Sequence, residues 1–295
     1  MAEIRNILVP LDGSALAEHA VPLAIGIAAR AGATVHLVNV DVPEPVAYLA
    51  GIPAFEVVEY EAESLESVRR RALAGPGPLP PMVTALVRGR VTDALLGYAE
   101  HKEVNLIVMT TRGHPALVRK WIGDIEEEVV RRAHVPVLLD RPRGQELDWS
   151  EKRLIERVLV ALDGSPAAEG ILEHAVAVGG LEASYELMQI ADTPGALPVE
   201  VIDIPLSDED RGASAYLGQL AEGLRKHGLR VTPRLVAGDG AAWGICDYAS
   251  TSGADLIAMT TRGRGGRAAP IFGRVAERVV RTTRVPVLLR GPGAG

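Results

Sequence analysis

A stretch of 36 residues occurs twice in this chain, 150 positions apart. Residues 104–139 read VNLIVMTTRGHPALVRKWIGDIEEEVVRRAHVPVLL and residues 254–289 read ADLIAMTTRGRGGRAAPIFGRVAERVVRTTRVPVLL, with 17 of the 36 positions identical. The starts of the two halves also match, since ILVPLDGS at 7–14 corresponds to VLVALDGS at 158–165. The chain is therefore predicted to contain one domain twice, so every candidate site has a counterpart in the other half.

The composition is typical of a globular protein whose core consists of small aliphatic residues. A length of 295 residues is enough for two domains of about 150 residues, each with its own core. Hydrophobic residues make up 47% but aromatic residues only 4%, which suits parallel strands buried on both faces. The single cysteine, Cys246, excludes an intrachain disulfide and a multi-cysteine metal site, and we interpret it as a small apolar filler on a helix.

Charge and hydropathy argue against two classes of partner. Of the net charge of −7, about −3 falls on residues 1–144 and about −4 on the remainder, so neither half is a basic module for nucleic acid. No apolar run approaches the roughly 20 residues that a membrane-spanning helix requires. The first residues, MAEIRNILVPLDGS, lead into a strand pattern without a signal-peptide core, which predicts a cytoplasmic protein.

Each half alternates short β-branched runs with longer helical patterns, which predicts βαβ crossovers and a parallel sheet. In the first half the predicted strands are 7–11, 34–40, 82–87, 106–110 and 135–139, and the helices are 15–30, 55–74, 91–102 and 122–133. In the second half the strands are 157–162, 185–190, 229–236, 255–260 and 285–289, and the helices are 166–178, 211–227, 241–252 and 273–283. Residues 143–154 are predicted to be a linker between domains at 1–142 and 155–292, and the segment between 190 and 211 is predicted to be a loop.

Ligands of open parallel sheets bind outside the carboxyl ends of the strands, and two features of each half fall at that edge. The first is the turn after strand one, Asp12-Gly13-Ser14 or Asp163-Gly164-Ser165. The second is a pair of glycines separated by nine residues after strand four. Such glycines let backbone N–H groups approach an anion closely, so the repeated spacing predicts a phosphate-binding loop in each half.

The segments ILVPLDGS/VLVALDGS, LIVMTTRG/LIAMTTRG and the two closing VPVLL strands resemble the universal stress protein family in its tandem two-domain form. This resemblance implies an α/β, Rossmann-like fold in which each domain has a five-stranded parallel sheet, order 3-2-1-4-5, sandwiched by helices. It also implies that the domains pair through their fifth strands, with a further homodimer left open. The family's ligand would be ATP or AMP, with or without Mg²⁺, and its role regulation during stress rather than catalysis.

Neither half carries the family's whole nucleotide pattern, G-x2-G-x9-G-[ST]. Threonine replaces its first glycine in both halves, and its closing Ser/Thr is Asp124 in the first half and Arg274 in the second. A carboxylate against a triphosphate is strongly unfavourable unless a cation lies between them, whereas a guanidinium can hold two phosphate oxygens. The second half is therefore the better phosphate site by charge. The first keeps a family-like shape, because Pro10 is replaced by Ala161 in the second half.

Carried onto this sequence, the resemblance gives candidate nucleotide contacts in both halves. The turn aspartates would meet the ribose or adenine edge, the end of the second strand would offer backbone to the base, and the other residues would surround the phosphates. In the first half the candidates are Pro10, Leu11, Asp12, Gly13, Val40, Met109, Thr110, Arg112, Gly113, Gly123, Asp124 and Ile125. In the second half they are Ala161, Leu162, Asp163, Gly164, Ile190, Met259, Thr260, Arg262, Gly263, Gly273, Arg274 and Val275.

Three functions remain open on these residues: a nucleotide-binding stress regulator, a scaffold or dimerisation protein whose degenerate sites are filled by their own side chains, and a slow ATP hydrolase with Asp124 as a metal ligand. No Ser/His/Asp set and no HxGH, Walker A or HExxH pattern is present, so neither catalysis nor a metal site is predicted. Two structural alternatives accompany these functions. Asp12 and Asp163 could merely cap the helices that follow, and the EEE run at 126–128 is interpreted as a solvated first helical turn.

Overall fold

The computed structural model describes residues 2–41, 54–75, 79–111, 123–142, 147–149, 153–193, 199–200, 207–261 and 273–291. Their contacts separate two compact units, the first spanning Glu3–Leu154 and the second beginning at Ile155. Each unit has its own set of parallel strands and its own buried apolar residues.

The first unit contains five parallel strands in the order β3-β2-β1-β4-β5. Because parallel crossovers are right-handed, the connections that lead towards β3 and those that lead towards β5 place their helices on opposite faces of the sheet. The elements are β1 (Asn6–Pro10), α1 (Ala15–Glu18), α2 (Ala20–Ala31), β2 (Thr34–Asp41), α3 (Ala54–Leu73), β3 (Met82–Arg88), α4 (Val91–His101), β4 (Leu106–Thr110), α5 (Asp124–Arg132) and β5 (Val137–Asp140).

The second unit repeats this order as β9-β7-β6-β10-β11 and adds a sixth strand. Its elements are β6 (Arg157–Ala161), α6 (Pro166–Glu169), α7 (Leu172–Gly179), β7 (Ser184–Asp192), β8 (Val199–Glu200), α8 (Asp208–Arg225), β9 (Arg230–Gly238), α9 (Ala241–Ser252), β10 (Leu256–Thr260), α10 (Arg274–Thr282) and β11 (Val287–Arg290). The short strand β8 runs antiparallel to β9. The five predicted parallel strands are therefore present in the predicted order in both domains, and the second domain adds one antiparallel strand that the sequence does not predict.

The sixth strand, β8, pairs with β9 because β9 is longer than its counterpart in the first domain. β9 extends over nine residues where β3 has seven, so more of its outer backbone groups need partners. Val199 and Glu200 pair with Ala237 and Val236 and satisfy part of that edge. The sequence predicts only a loop after strand two of the second half, because a two-residue strand carries no periodicity.

Several elements differ from the sequence prediction for local reasons. Helix α8 begins three residues early because Ser207 and Asp210 form a reciprocal capping box. The closing strands begin at Val137 and Val287, because Pro136 and Pro286 accept hydrogen bonds from β4 and β10 but have no N–H to donate. The first helix of each half is interrupted, at His19 and at residues 170–171.

The first strand of each domain lies between two neighbouring strands, and its central residues are buried. Ile7, Leu8 and Val9 are each 0% exposed, and residues 158–160 of β6 are at most 1% exposed. These continuous apolar runs have no polar face, as expected for strands covered by helices on both sides. The buried core therefore fixes the position at which each strand ends and the Asp-Gly-Ser turn begins.

A buried histidine lies at the opposite, amino-terminal edge of the first sheet. The Nδ1 atom of His36 is 3.0 Å from the hydroxyl of Tyr98, and its Nε2 atom is 3.2 Å from Oδ1 of Asn6. An amide oxygen only accepts, so Nε2 carries the proton and Tyr98 donates to Nδ1. The neutral ring is therefore fully bonded, and burial, together with the charge of Lys102, lowers the pKa of His36.

This environment predicts that acid destabilises the fold through His36. Below its ordinary pKa of 6.5 the unfolded chain binds the proton and the folded chain resists it, so the free energy of unfolding falls as the pH drops. We expect His36→Gln to lose less stability than the wild type between pH 7 and pH 5 in urea titrations. The variant keeps a second such group, His174, whose pKa burial also lowers. Exposed His101→Gln is the control, and equal pH dependence in all three proteins would contradict the assignment.

Candidate functional site

The carboxyl ends of three neighbouring strands form the candidate site in each domain. Pro10 pairs with Val38 and Leu8 with Ile107, so this register brings Val40 and Thr111 to the two sides of Asp12. Backbone bonds extend the pairing beyond the strand, since the Leu11 N–H donates to the Val38 carbonyl at 2.8 Å. Neighbouring strands lie about 4.8 Å apart, which places these groups within reach of one small ligand.

The second domain repeats this geometry. Ala161 pairs with Met188 and Val160 with Ala258, which brings Ile190 and Thr261 to the two sides of Asp163. The Leu162 N–H donates to the Met188 carbonyl at 2.8 Å, as its counterpart does in the first domain. The parallel register thus assembles the same set of backbone and side-chain groups twice.

The acidic turns are stabilised by their own serines. Oδ1 of Asp12 accepts from both the N–H and the hydroxyl of Ser14, at 3.0 and 2.6 Å, and Ser14 in turn accepts from the Ala17 N–H at 3.2 Å. Asp163 and Ser165 repeat these three bonds at the same distances. The serines, not the aspartates, therefore cap the helices, so the alternative of aspartate caps is wrong.

The turn has two consequences for a ligand. Its glycine adopts the left-handed backbone, with φ of 78° at Gly13 and 77° at Gly164, which other residues rarely tolerate. Within the described part of the chain, Oδ2 of Asp12 accepts no hydrogen bond, so an outward-facing carboxylate oxygen is available to a ribose hydroxyl. Asp12 itself is exposed, whereas the preceding Leu11 is 6% exposed and anchors the turn in the core.

The fourth strand of each domain leads directly into the predicted phosphate loop. Met109 and Met259 are 6% and 5% exposed, so their side chains belong to the core and only their backbone faces the edge. Beyond Thr110 and Thr260, the next residue still pairs with the closing strand, through bonds of 2.7 Å in the first domain and 3.1 Å in the second. The predicted contacts Arg112, Gly113, Arg262 and Gly263 lie outside the described residues.

The next helix begins at the second predicted glycine of each loop. Gly123 and Gly273 are the N-cap residues of α5 and α10 and have ordinary extended backbones, with φ of −63° and −60°. They are needed for close approach rather than for unusual dihedrals. A Cβ atom on Gly273 would lie 2.9 Å from the Thr261 carbonyl oxygen, to which the Gly273 N–H donates at 2.7 Å. This bond ties the start of α10 to the strand end beside Asp163.

The first residues of these two helices differ in charge but agree in exposure. Asp124 and Arg274 are both exposed, as are the apolar residues that follow, Ile125 at 39% and Val275 at 38%. A helix N-terminus attracts anions, and Arg274 strengthens that attraction where Asp124 opposes it. The second domain therefore has the more favourable electrostatic environment for a phosphate.

The structure reveals a residue that sequence reasoning missed, Glu126. Its side chain is 9% exposed and folds back over Gly123, so that a Cβ atom at that glycine would collide with the carboxylate. Glu128 is held too, accepting from Thr92 at 2.9 Å and Arg132 at 2.8 Å. The interpretation of 126–128 as a solvated turn is therefore wrong for these two residues. The sequence hints at this difference between the halves only through the residue at the position equivalent to Glu126, which is Ala276.

The described residues contain no group of three or more His, Cys, Asp or Glu side chains that could hold a metal ion. Within the same ranges no helix is long and apolar enough to cross a membrane.

Cys246 lies half-buried on α9, 3.9 Å from the Val279 carbonyl oxygen, and burial raises the pKa of its thiol to about 11. A thiol that stays protonated is a packing group rather than a nucleophile.

The sequence of each half matches the model of the universal stress protein family, over residues 3–141 and 155–289. A universal stress protein of Thermus aquaticus is 37% identical over 138 residues, which are 46% of this chain and 98% of that protein. A universal stress protein of Mycolicibacterium smegmatis is 25% identical over 300 residues, 97% of both chains.

A solved structure agrees with these sequence matches at the level of the fold. The crystal structure of a universal stress protein from Archaeoglobus fulgidus superimposes with a TM-score of 0.68, covers 98% of both chains and is 20% identical. The duplicated Asp-Gly-Ser turns, the duplicated strand ends and these matches lead to one conclusion. The chain belongs to the universal stress protein family and contains the domain of that family twice.

Proposed function

We propose that this protein is a stress-response regulator that binds an adenine nucleotide, ATP or AMP, at the carboxyl edge of its sheets. The observation that carries the proposal is the constellation in the second domain. The start of α10 is hydrogen-bonded to Thr261, Thr261 lies beside Asp163 in the sheet register, and Ile190 lies on the other side of Asp163. Three adjacent strand ends thus offer a helix N-terminus, a carboxylate and a backbone edge.

Each of these groups suits one part of the nucleotide. The N-terminus of α10 and the guanidinium of Arg274 suit phosphate oxygens, because both carry positive charge and N–H donors. The carboxylate of Asp163 suits the hydroxyl groups of a ribose, and the end of β7 at Ile190 suits the edge of a base. Mg²⁺, where it accompanies the ligand, would offset part of the phosphate charge.

Family membership supports the remaining parts of the proposal. We propose regulation through binding, with no catalytic step, in a cytoplasmic protein whose domains pair through their fifth strands. A homodimer of the whole chain is a further prediction. Each of these is separable from nucleotide binding, which can be measured directly on the purified chain.

Isothermal titration calorimetry with ATP, AMP and cyclic AMP, with and without Mg²⁺, tests the central claim. We expect Arg274→Asp to weaken ATP binding by at least about tenfold, because a charge-assisted hydrogen bond is lost and a like charge replaces it. Aspartate is favourable at a helix start, so the fold should be unaffected. Arg284→Asp makes the same change of charge at an exposed position beyond the other end of α10 and should bind as the wild type does.

Two results would decide against the nucleotide function. One is the absence of both binding heat and thermal stabilisation at millimolar nucleotide. The other is equal weakening by Arg274→Asp and Arg284→Asp, which would show a general effect of charge rather than a site. In the first case the scaffold function would be preferred, and it already has one supporting observation, the carboxylate of Glu126 over Gly123.

A further inference from the structure

The phosphate position of the first domain already contains an anion of the protein itself. Glu126 is the third residue of α5, and its carboxylate lies against the Cα of Gly123, the N-cap at which a phosphate would approach. With an exposed fraction of 9%, this is a buried side chain and not a surface acid. A carboxylate at a helix N-terminus uses the same N–H groups and the same dipole as a phosphate.

The base edge of the first domain is occupied as well. The N–H of Val40, at the end of β2 beside Asp12, donates to Oδ1 of Asn39 at 2.7 Å. This N–H is the backbone donor that the end of the second strand would offer to a base. Asn39 is buried, so its amide is held in place.

The described residues of the second domain make neither of these contacts. Ala276 replaces Glu126 and ends at its Cβ, so it does not cover Gly273 as Glu126 covers Gly123, and among the described residues only the Thr261 backbone lies within 4 Å of a Cβ placed on Gly273. Gln189 replaces Asn39, and in the described part of the chain its buried Oε1 accepts no hydrogen bond. Among the described residues, the same two positions are therefore filled by side chains in the first domain and not in the second.

We propose that the first domain is a self-closed copy of the nucleotide site, in which Glu126 takes the place of a phosphate and Asn39 that of the base. The chain then binds one nucleotide, in the second domain. This inference rests on the proposed function and adds its stoichiometry and the reason for it. A phosphate that entered the first site would have to displace Glu126 and lie beside Asp124, so like charges oppose binding there.

The experiment gives the first domain the residues of the second. Asn39→Gln/Asp124→Arg/Glu126→Ala should bind two ATP molecules per chain in calorimetry, whereas Asn39→Gln/Asp124→Arg, which keeps Glu126, should still bind one. The comparison isolates the carboxylate, because the two proteins differ only at that position. Circular dichroism and thermal melting check that both variants are folded.

The reciprocal change tests the same idea without altering the first domain. Ala276→Glu places a carboxylate over Gly273 and should weaken ATP binding to the wild-type site at least tenfold, while Glu277→Gln next to it should not. Wild-type chains that bind two ATP molecules, a triple variant that binds no more than its parent, or undiminished binding by Ala276→Glu would each overturn the inference. A wild type that binds none, with a triple variant that binds one, would refute nucleotide binding by the natural chain and still support closure by Glu126.

Discussion

Replacing Arg153 by alanine should lower the free energy of unfolding by about 3–5 kcal/mol, because it leaves a buried carboxylate without its partner. Asp140, at the end of β5, is 1% exposed, and both of its oxygens accept from the guanidinium of Arg153. The Nη2–Oδ1 bond is 3.0 Å, and the Arg153 side chain is itself only 26% exposed. Urea unfolding followed by circular dichroism measures the loss.

An exposed ion pair provides the control for this prediction. Arg211 and Asp208 lie on α8 with side chains 67% and 98% exposed, so Arg211→Ala should cost less than about 1 kcal/mol. The double variant Asp140→Leu/Arg153→Ala should recover much of the loss, since it also removes the buried carboxylate that Arg153→Ala leaves without a partner. Similar losses in Arg153→Ala and Arg211→Ala would show that Asp140 finds another partner.

Tyr185→Ala should destabilise the second domain by about 3–5 kcal/mol, the range for truncating a large buried aromatic side chain. Tyr185 is 2% exposed and is among the largest fully buried side chains of the described residues. Its hydroxyl donates to the Gly180 carbonyl at 2.5 Å and occupies the space above Gly179, where a Cβ atom would collide with it. The alanine variant therefore loses both a packed ring and a hydrogen bond.

Tyr185→Phe separates these two contributions. It keeps the ring and removes only the hydroxyl, so the expected cost is about 1 kcal/mol, the usual value of one hydrogen bond. Both variants are compared with the wild type by thermal and urea unfolding under identical conditions. Equal losses in the two variants would mean that the hydroxyl, and not the ring, anchors β7 to the end of α7.

Local patterns were sufficient for most of the fold. The apolar runs at 7–10 and 158–161 form strands, as the sequence predicts, and Gly32 ends α2 in a left-handed conformation with φ of 70°, as its position predicts. The antiparallel strand β8 could not be predicted, because it exists only where β9 offers an unpaired edge. The early start of α8 was readable in principle from Ser207 and Asp210, whose spacing is that of a capping box.

The sequence predicts where the candidate site lies, but not whether side chains of the protein itself fill it. The Asp-Gly-Ser turns and the glycines are recognisable from the amino-acid sequence alone, because each motif consists of residues within a few positions of one another. Glu126 and Asn39 are ordinary residues by type, and only the folded side chains show that one covers Gly123 and the other bonds the Val40 N–H.

The amino-acid sequence by itself determined that one α/β domain occurs twice, and that Asp124 and Arg274 give its two sites opposite charge. These conclusions depend on periodicity and on matching positions, which need no coordinates. The tertiary structure decided which strand ends lie side by side, that Asp140 is buried against Arg153, and that Glu126 lies over Gly123. Such contacts depend on side-chain direction and on burial, and these are properties of the packed chain rather than of any segment of its sequence.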